Sequence, residues 1–213
     1  MKNWFFDIDG TLLDSMPALV RLLKNQLLNS GITPPPDTDL LASIIPIGFL
    51  GAAEYLIGLG VPKTTEELLL DLYNEIKEEY LCRIPKKPYA AELLSHLAEE
   101  GNTLYVMSAG ASAVAIPALE RVGIRHYFTD LFFADSFGLS KKDPAIYRAA
   151  AARAGVEVAD CVFVDDNAEN IASARAAGMM TVGVYDEGSD YGWADMQKNA
   201  HRTVRTFAEL IGG

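Results

Sequence analysis

The stretch Trp4-Phe5-Phe6-Asp7-Ile8-Asp9-Gly10-Thr11-Leu12-Leu13-Asp14-Ser15 decides how the chain is read. It is an apolar run that stops abruptly at two carboxylates, a glycine and a threonine, the pattern of a buried strand delivering a reactive edge. Residues two apart on an extended segment point to the same side, so Asp7 and Asp9 can both address one small site at the strand's C-terminal end. Gly10 permits a sharp turn or a close approach of backbone to a ligand, and Thr11 adds a hydroxyl and an N–H. Two neighbouring carboxylates suit a hard cation. Once neutralised, one of them can attack phosphorus while the other moves a proton. An Asp-Gly pair alone also fits a plain acidic turn.

Outward from this stretch the chain has two textures. Between Ser15 and Pro85 only helices are predicted: Met16 to Ser30, a second from Asp37 or Thr38 that ends at Ile45-Pro46-Ile47-Gly48, and Phe49 to Leu59. A fourth starts at the capping signal Thr64-Thr65-Glu66-Glu67 and runs to about Cys82. From Pro85 onward strands and helices alternate. Ala90 to Glu100 reads as a helix, Thr103 to Met107 as a strand ending at Ser108, Ser112 to Val122 as a helix closed by Gly123, and Leu131 to Ala134 as a strand. Asp143-Pro144 opens a helix to Ala154, with proline near the first turn, where its missing N–H costs nothing. Cys161 to Val164 is an apolar run ending in Asp165-Asp166, Ala168 to Ala177 a helix stopped by Gly178, and Met180 to Val184 the last strand. Such alternation predicts an α/β fold with a mostly parallel sheet covered on both faces, and ligands at the strands' carboxyl ends. Three strands end in polar residues there: Asp7 with Asp9, Ser108, and Asp165 with Asp166. The expected organisation is a Rossmann-like core of residues 1–15 and 88–213, with residues 16–87 as an inserted helical domain.

The totals bound the function. With 29 acidic against 18 basic residues the net charge is −11, which argues against nucleic acid or an anionic membrane as partner. An anionic substrate would then need a metal ion or a local lysine to enter. Cys82 and Cys161 form no C-x-x-C pair, and a cytoplasmic home without a secretory signal is expected. Leu40 to Val61 carries one ionisable side chain, Glu54, but is broken by Pro46 and four glycines, so it reads as two packed helices rather than a membrane span. His96, His126 and His201 have no metal-ligand spacing and read as structural or solvated. The state expected is a monomer or homodimer.

The string D-x-D-G-T-L-L-D-S at Asp7 to Ser15 resembles the first motif of the haloacid-dehalogenase-like (HAD) phosphohydrolases, in the form of their phosphoglycolate-phosphatase and β-phosphoglucomutase-like branch. Ser108 resembles the second motif, with Ala109 where asparagine often follows. Lys141-Lys142-Asp143-Pro144-Ala145-Ile146-Tyr147 is similar to the third, with Lys141 aligned to the motif lysine and Lys142 as the alternative. Val162-Phe163-Val164-Asp165-Asp166-Asn167-Ala168-Glu169-Asn170 resembles the fourth, with Asn170 in place of a later acid. The resemblance implies a sheet of order 5-4-1-2-3 with a small helical cap, and a Mg2+-dependent phosphatase acting on a small-molecule phosphomonoester. It implies Asp7 as nucleophile, Asp9 as acid and base, and Lys141 as the fixed cation. Gly10, Thr11, Ser108, Ala109 and Lys141 would hold phosphate. Asp7, Asp9 (through its carbonyl) and Asp166 would hold the metal, and Asp165 would reach it directly or through water. Ile47, Gly48 and Phe49 would meet the leaving group from the cap. Asp9 disfavours dehalogenation, whose halide needs no proton. The segment Ile47 to Gly51 lacks the arginine that β-phosphoglucomutases present to a second phosphate, which leaves mutase action as the alternative. A second alternative is a non-catalytic relative that binds a phosphorylated ligand.

Overall fold

In the computed structural model, which describes residues 1–44 and 48–212, strand β1 (Asn3–Phe6) is followed by four helices: α1 (Met16–Asn29), α2 (Asp37–Ile44), α3 (Gly48–Gly58) and α4 (Thr65–Cys82). The alternating part then runs α5 (Ala90–Glu99), β2 (Thr103–Ser108), α6 (Ser112–Arg121), β3 (Asp130–Phe133), α7 (Pro144–Ala154), β4 (Cys161–Asp165), α8 (Ala168–Ala177), β5 (Met180–Val184), α9 (Trp193–Asn199), β6 (Arg202–Val204) and α10 (Ala208–Ile211). All strand pairs are parallel, in the order β3-β2-β1-β4-β5-β6. The five strands expected from sequence stand in the expected order, and β6 extends it beside β5. With three residues and one buried side chain, β6 is too short to show a period.

The sheet is centred on β1 because Phe5 and Phe6, on opposite faces, are both fully buried. Phe5 stacks on Tyr105 with ring centroids 4.7 Å apart, and Tyr105 on Phe132 at 5.8 Å, so one aromatic layer ties β1, β2 and β3. Ile146 and Tyr147 of α7, Ile171 and Ala174 of α8, and Met196 of α9 close over the same face in one buried cluster. α5 packs on β2. Helix ends follow local chemistry: the Asp143 side chain accepts from the Ala145 N–H at α7, Asn167 accepts from Glu169 and Asn170 at α8, and Gly155 and Gly178 end these helices in the left-handed region.

The chain divides into two compact units, Met1–Asp14 with Pro85–Gly213, and Ser15–Ile84. Pro85 to Lys87, expected on the helical side, belong to the sheet unit because its backbone claims them. The Asp14 N–H donates to the Pro85 carbonyl (2.9 Å), the Lys87 N–H donates to the Leu12 carbonyl (2.8 Å), and Leu13 bridges Lys86. In the helical unit, Leu22, Leu23 and Leu27 of α1 and Leu68, Leu72 and Ile76 of α4 are buried, and α1 packs on α4. Thr64 and Glu67 form the expected capping box. The Leu40–Val61 segment carries the two expected helices. No described helix is long and apolar enough to cross a membrane. Gly48 and Phe49 are exposed at the start of α3, and Ile47 lies outside the described residues.

Candidate active site

The chain leaves β1 through a hydrogen-bonded turn. The Asp7 N–H still donates to Val164 of β4 (2.9 Å), and the Ile8 carbonyl then accepts from the N–H groups of Leu12 (2.9 Å) and Leu13 (2.8 Å). Gly10 lies in this turn at φ +77, and a Cβ there would stand 2.6 Å from Asp166 Oδ2. Glycine is therefore required both by backbone conformation and by the approach of Asp166. Gly10→Ala is expected to lose more than the ~1–2 kcal/mol of a left-handed alanine, because Asp166 must also shift. Urea denaturation measures this, and a loss of a few tenths of a kcal/mol would contradict the crowding.

The ends of β1 and β4 converge. Asp7, Asp165 and Asp166, all buried, each offer a carboxylate oxygen, and these atoms lie within 4.8 Å of one another. Lys141, in the loop before α7 and buried, sets its Nζ 2.6 Å from Asp7 Oδ1 and 2.6 Å from Asp165 Oδ2. Lys142 is exposed and pairs with Glu169 instead. Tyr147 holds the Lys141 segment, its hydroxyl donating to the Lys141 carbonyl (2.7 Å) with the Asn170 carbonyl at 3.1 Å.

The two neighbouring aspartates have different surroundings. Asp165 Oδ1 accepts from the Asn167 N–H (2.7 Å), Oδ2 accepts from Lys141, and Asn170 Nδ2 lies 3.2 and 3.3 Å from the two oxygens. Asn170, which replaces the later acid of the motif, thus serves Asp165. Asp166 accepts on Oδ1 from the Thr11 hydroxyl (3.1 Å) and on Oδ2 from the Ser189 hydroxyl (2.5 Å).

Two of the residues expected at the phosphate, Gly10 and Thr11, have partners within the chain. The Thr11 side chain is spent on Asp166 and its N–H points to the Ile8 carbonyl (3.3 Å), while the Gly10 N–H donates to Leu13 (2.9 Å). Both residues shape the turn and support Asp166. Ser108, buried at the end of β2, accepts on Oγ from the Gly110 N–H (2.9 Å), and a hydroxyl that accepts can also donate. A Cβ on Gly110 would lie 3.3 Å from both Asp9 Oδ2 and Ser108 Oγ, so the half-buried Asp9 carboxylate and the Ser108 hydroxyl flank one glycine. Ala109 is exposed beside them.

Burial, reinforced by the Asp165, Asp166 and Asp9 charges, drives the Asp7 carboxyl well above the usual carboxylate range against the pull of Lys141. Burial and the neighbouring Asp165 push Asp166 up to about 7. Burial disfavours the Lys141 ammonium, yet Asp165 and Asp7 together outweigh it and raise its pKa. One buried ammonium faces three buried carboxyl groups, and the raised Asp7 and Asp166 show that the cluster is short of positive charge. A divalent cation with a preference for oxygen donors fits that deficit and that donor set.

Ser189 was not anticipated from sequence, nor were Asp186 and Lys87 behind it. The available signal was that Asp186 and Ser189 closely follow the C-terminal end of β5, on the same sheet edge as the other three strand ends.

A sequence model of the haloacid dehalogenase-like hydrolases matches residues 1–178. The chain is 28% identical over 183 residues to phosphoglycolate phosphatase of Agrobacterium fabrum, covering 84% of this chain and 78% of that protein. It is 26% identical over 186 residues to N-acetylmuramic acid 6-phosphate phosphatase of Pseudomonas aeruginosa, covering 86% and 81%. Its fold is similar to that of a HAD family hydrolase from Deinococcus radiodurans, solved with bound phosphate and sodium, at a TM-score of 0.82, with 22% identity and coverage of 99% and 93%.

Proposed function

The chain belongs to the haloacid dehalogenase-like hydrolase family, and we propose that within it the protein is a Mg2+-dependent phosphatase that hydrolyses a small phosphomonoester by way of a phosphoryl group carried on Asp7. The observation that carries this reading is the single buried lysine facing three buried carboxylates. Asp7, Asp166 and the Asp9 carbonyl would hold the ion, which when bound supplies positive charge against the phosphoryl oxygens. Asp165, already surrounded by donors from Lys141, Asn167 and Asn170, is read as the anchor of Lys141 rather than as a direct ligand.

In the proposed sequence an Asp7 carboxylate oxygen attacks phosphorus, the bond from phosphorus to the leaving oxygen breaks, and Asp9 gives that oxygen its proton. Asp9 then takes a proton from water, the water oxygen attacks phosphorus, and the phosphorus–Asp7 bond breaks to release phosphate. Lys141 fixes the Asp7 carboxylate and offsets charge, and the Ser108 hydroxyl donates to a phosphoryl oxygen. Hydrolysis is preferred to mutase action because no arginine stands between Ile47 and Gly51. It is preferred to binding without turnover because Asp7, Asp9 and Asp166 are all present.

Phosphate release from a panel of monoesters, begun with the substrates for which the two relatives are named, tests the proposal. Turnover that requires magnesium and stops with chelator is expected. Release insensitive to chelator, or none from any monoester by folded protein, would count against it.

A further inference from the structure

The loop that follows β5 reaches back into the acidic cluster, and no step of the proposed reaction uses it. Asp186, buried, accepts the Gly188 N–H on Oδ1 (2.7 Å) and pairs through Oδ2 with Lys87 Nζ (2.5 Å). The Ser189 N–H donates to the Asp186 carbonyl (3.1 Å), which completes a tight turn. That turn presents the Ser189 hydroxyl, itself buried, to Asp166 Oδ2. Lys87 comes from a segment 99 residues earlier, and its ammonium cancels the Asp186 charge, so the turn can sit against the cluster without adding to its negative charge. Asp166 is then gripped on three sides: Thr11 on Oδ1, Ser189 on Oδ2, and the bare backbone of Gly10 against its carboxylate. A carboxylate with one hydroxyl on each oxygen cannot rotate about its Cβ–Cγ bond without breaking both, and each oxygen keeps acceptor capacity for a further partner.

We infer that Ser189, set by the Asp186–Lys87 pair, is a positioning residue that orients the Asp166 carboxylate toward the divalent cation. The inference rests on the functional reading above, in which Asp166 is a ligand. Hydroxyls that orient a ligating carboxylate act on metal affinity more than on the chemical step, because they preorganise the ligand in the free protein.

The test is magnesium binding to Ser189→Ala by isothermal titration calorimetry, alongside kcat at saturating magnesium. The affinity is expected to fall by roughly 10- to 100-fold, and kcat at saturation by much less. Ser189→Thr, which keeps the hydroxyl, is expected to restore affinity to within about threefold of the parent on the same scale. Circular dichroism of each variant confirms the fold, and Ser189→Cys, nearly isosteric with a weak donor, falls between the two if alanine unfolds the loop. Unchanged affinity in Ser189→Ala, or equal losses in the alanine and threonine variants, would overturn the positioning role alone. Absence of magnesium binding by the unsubstituted protein would overturn the functional reading and this inference together.

Discussion

Asp7→Asn is expected to abolish phosphate release, lowering kcat by about 10⁴-fold or more, while leaving the metal-free fold at least as stable as the parent. Asparagine keeps the shape of the side chain and an oxygen to accept from Lys141, but cannot be the attacking group. The stability half follows from the charge balance. Burial and the Asp165, Asp166 and Asp9 charges hold the Asp7 carboxyl well above its unfolded value, so the folded state binds this proton more tightly than the unfolded chain does. A raised carboxyl contributes stability at low pH that is lost as pH rises through the folded value, so above the unfolded value Asp7 opposes folding. Asparagine, which resembles the protonated form, removes that opposition. With magnesium present the order reverses, because a cation held by the Asp7 carboxylate stabilises the parent and gains less from an amide. Thermal melts with and without magnesium read both signs. A large drop in the metal-free melting temperature of Asp7→Asn would show that the Asp7–Lys141 pair is a net source of stability.

Lys141→Met carries the second large effect, on both counts. The Lys141 ammonium is the cation within 2.6 Å of both Asp7 and Asp165, and methionine of similar length fills its space without a charge. Removing one partner from a buried ionic group typically costs about 3–5 kcal/mol, because the remaining charges are left unpaired. A smaller loss is expected here to the extent that Asp7 and Asp166 take up protons. Magnesium is expected to recover part of the stability by returning positive charge to the cluster. Activity is expected to fall about 10²–10³-fold, the scale seen when one preorganised group facing developing charge is lost. Lys142→Met, on the exposed neighbour, is expected to change neither quantity much, since an exposed ion pair such as Lys142–Glu169 contributes about 0–1 kcal/mol. Urea denaturation and phosphate release on the two variants decide between the lysines, and a larger effect at position 142 would contradict the assignment.

These expectations trace back unevenly to the sequence. The parallel sheet was legible because each central strand is an apolar run stopped by a polar residue. Strand ends share an edge in such sheets, so the sequence alone brings Asp7, Ser108, Asp165 and Asp166 together. The motif alignment placed the lysine at Lys141 and kept Lys142 as the alternative. What separates them is depth, set by the Tyr147 hydroxyl on the Lys141 carbonyl and the two carboxylates around its Nζ. The Thr11 hydroxyl on Asp166 was not legible, because a motif names the residue but not the direction of its hydroxyl, which depends on the turn closed at Ile8. Ser189 was invisible for a related reason. A serine in Asp186-Glu187-Gly188-Ser189 reads as an ordinary turn residue until Asp186 and Lys87, 99 residues apart, fix the turn against Asp166. Strand β6 and the last helices are short, and pairing with β5 rather than local propensity specifies the strand.

The stereochemical course at phosphorus tests the carriage of the phosphoryl group on Asp7 most directly. With a monoester that the protein turns over, made chiral at phosphorus by oxygen isotopes and sulfur, two successive in-line displacements invert the centre twice. The released thiophosphate is therefore expected to show net retention of configuration. Net inversion would mean that water attacks the substrate directly and that Asp7 never carries the phosphoryl group.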